Sequence, residues 1–192
     1  MRRTMLAIAG LLVLSHGLAW AQKTTLNPRR PAPVVQSLSQ ARSPIPLDAS
    51  VSGLTATPAT IQFTANNPGS SVDGNSSATV GWTITGGKNG NTWTLSVYAN
   101  STTFTGCTTV PASAVGVSCS SASDITKHGT ANCQSGGPFT LPSTAPGQQV
   151  ASGFEGNTDD TYTVVLNYQY TDSWTFIANP CPLTITYTVN AP

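Results

Sequence analysis

After Arg42 the chain contains no arginine, and its only basic side chains from there on are Lys88, Lys127 and His128. That scarcity removes several function classes. Nucleic-acid binders need a basic stripe to neutralise phosphates. Most enzymes place histidine, lysine or an acid–base pair around the reacting group. Here one histidine remains, in Thr126-Lys127-His128-Gly129, and no G-x-S-x-G nucleophile elbow accompanies it. Charged residues make up only 8% of the chain. No helical periodicity of useful length and no repeat of solenoid period is present. The residues therefore imply neither catalysis nor a cofactor.

The first residues have the form of a secretory signal. Arg2 and Arg3 give a positive start, an apolar run from Met5 to Leu14 follows, and Ala19-Trp20-Ala21 is an A-x-A cleavage site. Cleavage is expected between Ala21 and Gln22. The run is too short for a permanent span of about 20 residues, and no later segment is apolar enough for one. The expected location is outside the cytoplasm, secreted or in the cell envelope.

Four cysteines follow the signal: Cys107, Cys119, Cys133 and Cys181. An even count in an exported chain points to two disulfides. No pair has C-x-x-C spacing, so a metal site is not expected. Cys119–Cys133 is the favoured pair, because the turn-rich stretch between them can fold them onto neighbouring strands. It leaves Cys107–Cys181. Cys107–Cys119 with Cys133–Cys181 is nearly as good.

Charge divides the mature chain. Residues 22–47 carry Lys23, Arg29, Arg30 and Arg42 and no acid, a net of +4. Residues 48–192 carry two lysines against seven acids, a net of −5. Five prolines (Pro28, Pro31, Pro33, Pro44 and Pro46) crowd the basic part, which forbids helix and favours extended chain. The division is thus a signal peptide over 1–21, a disordered Pro-rich basic arm over 22–48 and one domain over 49–192.

Within that domain the dominant pattern is period-2 alternation. It marks strands over 60–64, 79–85, 92–97, 162–170 and 183–189, and weaker ones over 102–105, 113–119, 138–141, 149–152 and 173–178. Threonine fills many intervening positions, which suits the wet face of a half-buried strand. Residues 86–91, between two aromatic strands, read as a β-hairpin with a longer loop. Many short strands with Gly, Pro and Asn turns imply a single antiparallel β-sandwich, immunoglobulin-like or Greek-key.

Few side chains stand out chemically. Glu155, Asp159 and Asp160 form an acidic loop. Paired carboxylates can serve glycoside hydrolysis or calcium, but the spacing is not that of an EF-hand and a solvated turn accounts for them. Asp73-Gly74-Asn75 also reads as a turn. Trp82 and Trp93 are in phase with the apolar faces of their strands and are expected in the core. Trp174, near a strand end after Thr171-Asp172-Ser173, is the best candidate for an exposed ligand platform.

Asn91-Thr92-Trp93-Thr94-Leu95-Ser96-Val97, then Phe104, then Val110-Pro111-Ala112-Ser113-Ala114-Val115, resembles the centre of a WxL-type bacterial surface domain. Asp160-Thr161-Tyr162-Thr163-Val164-Val165-Leu166 resembles the strand that ends such domains. In place of a second W-x-L stand Tyr168-Gln169-Tyr170 and Trp174-Thr175-Phe176. The resemblance implies an exported, non-catalytic module attached to cell-wall glycan. The partners expected are therefore a cell-wall glycan or another exported protein. A subunit of a secreted fibre or pilus, assembling through its basic arm, is the alternative.

Overall fold

A computed structural model describes residues 22–25, 49–65, 67–176 and 181–191. The expected signal peptide and residues 26–48 of the arm lie outside the described residues. Fourteen strands are described: β1 (Gln22–Thr25), β2 (Ser50–Thr57), β3 (Gln62–Ala65), β4 (Ser71–Asp73), β5 (Ala78–Thr85), β6 (Thr92–Ala99) and β7 (Thr103–Phe104), followed by β8 (Cys107–Pro111), β9 (Val115–Asp124), β10 (Asn132–Cys133), β11 (Phe139–Thr140), β12 (Gln148–Phe154), β13 (Asp160–Thr171) and β14 (Ile185–Asn190). A short 3-10 turn, Ala112–Ala114, separates β8 from β9. No helix of the described residues is long and apolar enough to cross a membrane.

The chain is an all-β sandwich. One sheet has the order β11-β9-β13-β5-β2, with β4 also paired to β13; the other has the order β10-β12-β6-β14. Both sheets are antiparallel throughout. Each long strand turns alternate residues inward. Val80, Trp82 and Ile84 of β5 face Trp93, Leu95 and Val97 of β6, and all six are buried. The Tyr168 hydroxyl on β13 donates to that of Tyr187 on β14 at 3.0 Å, a polar contact inside the core. Burial raises the pKa of both phenols, Tyr187 to about 12.

No two strands consecutive in the chain pair with each other within the two main sheets. The hairpin expected at residues 86–91 is therefore not formed: β5 lies in one sheet and β6 in the other. Both strands have one apolar face, and crossing the sandwich lets the two faces pack on each other. Of the strand expected over 173–178, residues 173–176 form a turn, and 177–178 lie outside the described residues. The Asp172 carboxylate accepts the Ser173 N–H at 2.8 Å, and the Phe176 N–H donates to Ser173 O at 3.0 Å, a local arrangement that competes with extension. β2 escaped the period-2 pattern because a register shift between Ser52 and Thr55, around Gly53 at φ +62°, breaks its alternation. The arm expected to be disordered contributes β1, paired antiparallel to β3 from Gln22↔Ala65 to Thr25↔Gln62.

Two disulfides join Cys107 to Cys181 and Cys119 to Cys133, the pairing favoured from the sequence. Cys119 and Cys133 do not lie on neighbouring strands of one sheet, however. β9 belongs to the larger sheet and β10 to the smaller, so this bridge staples the two layers together.

Candidate functional site

Three places among the described residues are candidates for a site. The first lies where β13 begins. Asp160 is buried, and its carboxylate accepts from the Gly156 N–H at 2.6 Å, the Tyr162 hydroxyl at 3.1 Å and the Thr126 hydroxyl at 3.2 Å. Asp124 accepts from the Thr126 N–H at 3.0 Å and the Gly129 N–H at 2.6 Å. Burial pushes the Asp124 pKa up, but the hydrogen bond from the Thr126 hydroxyl at 2.6 Å, together with those from backbone N–H groups, overcomes it and holds the carboxyl below its ordinary range. Glu155 is also buried and accepts from the Lys88 N–H at 3.2 Å. Among the described residues its Oε1 has no hydrogen-bond partner, and burial holds its pKa above the ordinary value, with Asp160 adding to the effect. The expectation of a solvated acidic turn therefore fails for Glu155 and Asp160, and holds only for the exposed Asp159. Both buried acids fasten loops over the strand ends, and beneath them Trp82, Trp93 and Tyr162 form an aromatic cluster.

His128 belongs to this network. Its Nδ1 lies 2.7 Å from the Thr158 hydroxyl and 3.3 Å from Asp160 Oδ1. In a catalytic triad the acid and the nucleophile occupy opposite ring nitrogens, so that the base can pass a proton while held by the acid. Here the carboxylate and the hydroxyl crowd the same nitrogen, and no relay is formed. Among the described residues no group of three His, Cys, Asp or Glu side chains could hold a metal ion.

The second place is the turn after β13. Trp174 is 66% exposed, whereas Trp82 and Trp93 are 2% and 0% exposed. Trp82 and Trp93 are thus buried, as the phase of their strands indicates, and Trp174 is exposed. Trp174 stands on a turn pinned to its neighbour, since the Asp172 N–H donates to Ser70 O and the Gly69 N–H to Asp172 O.

The third place is a groove of about 470 Å³ on the larger sheet, which the sequence reading missed. It arises from a break beside β13. On that side β5 stops at Ala78, opposite Leu166, and β4 stops at Asp73, opposite Gln169. Residues 74–77 bow away from the strand between these points. A hydrogen bond from the Gly74 N–H to Tyr168 O anchors the bow at 2.8 Å. A Cβ at Gly74 would stand 2.4 Å from Ile61 Cγ2, so only glycine lets it lie this close to the core. Asn167 and Gln169 on β13 and Ser118 on β9, opposite Asn167, line the groove. The far wall is Pro138, which follows the Cys119–Cys133 bridge and packs so closely that a Cβ at Gly116 would be 3.2 Å from its own.

The one sequence signal for this groove is compositional. The outward positions of β13 are Thr161, Thr163, Val165, Asn167, Gln169 and Thr171. The two amides interrupt a β-branched series and mark the groove. The break between β4 and β5 has no such signal, because it depends on pairing between distant strands.

Comparison with protein-family models, with curated proteins and with solved structures finds no match.

Proposed function

We propose that this chain is an exported, non-catalytic β-sandwich protein that acts as a binding module at the cell surface or envelope. The observation that carries the reading is the polar groove beside β13, a concave site of about 470 Å³ and thus of the size that ligands occupy. The crowding of Thr158 and Asp160 on one nitrogen of His128 argues against turnover. Two disulfides suit an oxidising compartment. Signal cleavage before Gln22 would leave β1 whole, since β1 begins at that residue. The resemblance to WxL-type domains favours cell-wall glycan as the partner, with Trp174 as an accessory platform. Incubating the mature protein with washed cell-wall material and sedimenting the mixture tests this. Protein in the pellet supports a binding module, and protein left wholly in the supernatant contradicts it.

A second reading has one observation in its favour. β1 comes from the basic arm and covers the edge of β3. The same strand given to a neighbouring copy would build a fibre, as in other strand-addition assemblies. Size-exclusion chromatography of the mature protein with and without residues 22–47 separates the readings. Assembly lost on removal of the arm favours the fibre subunit, and a monomer in both cases favours the binding module.

A further inference from the structure

We infer that the groove between residues 73–77 and Pro138 binds an uncharged oligosaccharide; the inference rests on the binding-module reading and assigns its ligand class. Recognition starts from what the groove presents. Its lining offers the hydroxyls of Ser76, Ser77 and Ser118 and the amides of Asn75, Asn167 and Gln169. Hydroxyls and amides both donate and accept. A ligand that matches such a lining carries donors and acceptors densely along its length, which is the property of a sugar chain. Pro138 supplies an apolar ring at the wall, suited to the C–H face of a pyranose.

Charge narrows the class. Among the described residues, the groove lining contains no Lys, Arg or His and a single carboxylate, Asp73. An anionic polymer would meet only that negative charge. The domain's two lysines are at the other end of β13: Lys88 donates its N–H to Glu155, and Lys127 lies in the loop leading to the Asp160 network.

An extended peptide fits poorly. Strand addition needs free backbone groups at a sheet edge, but β9 pairs with β13 along one side of the floor, and the Gly74 N–H already occupies Tyr168 O on the other. Recognition must come from side chains. Several of these are already held in place. Ser77 donates to Asn167 Oδ1 at 2.6 Å, Gln169 Nε2 donates to Asp73 Oδ1 at 3.3 Å, and Asn75 Oδ1 accepts from the Gln62 N–H at 2.8 Å. The ordering cost of binding is correspondingly reduced. Asn167 Oδ1 accepts from Ser77, so a ligand at this residue would be met by its amide N–H groups.

Affinity electrophoresis of the mature full-length protein tests the inference, using gels cast with xyloglucan, mixed-linkage glucan, glucomannan or polygalacturonate. The expected result is retardation by at least one neutral polysaccharide, unchanged in about 1 M salt, where screening removes exposed charge interactions. The double variant Asn167→Ala/Gln169→Ala should bind about tenfold more weakly, the effect of two ordinary hydrogen bonds lost. Its melting temperature, measured in parallel, should fall only slightly, because the hydrogen bonds to Ser77 and Asp73 that it loses are exposed. Retardation by polygalacturonate alone, lost in salt, would overturn the uncharged class. Neutral-glycan binding intact in the double variant but abolished by Trp174→Ala would move the site to the turn after β13. No retardation by any neutral polysaccharide, while the protein still sediments with wall material, would overturn this inference and leave the binding module standing. Failure of both experiments would remove the binding module as well.

Discussion

The indole of Trp82 on β5 meets the indole of Trp93 on β6 edge to face, with ring centroids 5.0 Å apart. The two strands belong to different sheets, so this contact joins the layers. Tyr162 completes the cluster, 5.6 Å from Trp82 and 4.8 Å from Trp93. Gly153 lies against Trp93, and a Cβ there would be 1.8 Å from Thr130 O and 2.6 Å from the indole. The cluster is closely packed on that side. Trp82→Ala or Trp93→Ala should each cost about 3–5 kcal/mol, the usual penalty for removing a buried aromatic. Denaturant unfolding measures this. A change well under 1 kcal/mol, together with lost glycan retention, would make these residues binding platforms instead.

The two disulfides should differ in worth. Cys107–Cys181 spans 74 residues and Cys119–Cys133 spans 14. In the chain-entropy account the longer loop constrains the unfolded state more. Replacing both cysteines of the short bridge by serine should cost about 3 kcal/mol and the long bridge about 4 kcal/mol. The short bridge should matter more for the groove, because Pro138 follows it in the chain. Paired measurements of stability and glycan binding on the two double variants check both points.

Tyr168 and Tyr187 form a buried hydroxyl pair across the layers. Either tyrosine changed alone to phenylalanine leaves the other hydroxyl buried without this partner, which should cost about 1–3 kcal/mol. The double phenylalanine variant should lie close to the wild type, because no polar group is then stranded. A double-mutant cycle reads the coupling directly. Additive losses in the double variant would show that each hydroxyl has an independent partner.

Glu155 gives a pH signature. Burial raises its folded-state pKa above the unfolded value of about 4.3. As pH rises past about 4, the unfolded chain ionises first, so this group lowers stability progressively until it ionises in the fold as well. Asp124 acts oppositely: its pKa is lowered, so its contribution is lost only as pH falls below about 4. Melting curves of wild type and Glu155→Gln across this range should diverge as pH rises above about 4, the variant declining less. Parallel curves would show that Glu155 ionises equally in both states.

Much of the fold is legible in the chain because strong alternation survives without context. Val80, Trp82 and Ile84, or Tyr162, Val164 and Leu166, announce a strand with one wet face, and the structure buries those side chains. Which strands pair is a different kind of information. Residues 86–91 look like a hairpin loop because a turn-rich sequence suits a crossing between sheets equally well. β1 was hidden by the prolines that follow it, and β2 by its bulge. The site was less legible still. Trp174 could be placed by its position after a strand, but Asp73, Ser118 and Asn167 are distant in sequence. They meet only because β13 lies between β9 and the broken partner strand formed by β4 and β5. Glu155 and Asp160 looked solvated because their backbone donors come from loops whose folding alternation does not describe.

The central claim is that this protein binds without turnover. The most direct measurement is sedimentation of the mature protein with washed wall material, with the supernatant assayed for released soluble fragments and new reducing ends. The expected result is protein in the pellet and no release above the protein-free control over long incubation. Release that depends on the protein and disappears in His128→Ala would contradict it and make the His128–Asp160 pair an active site.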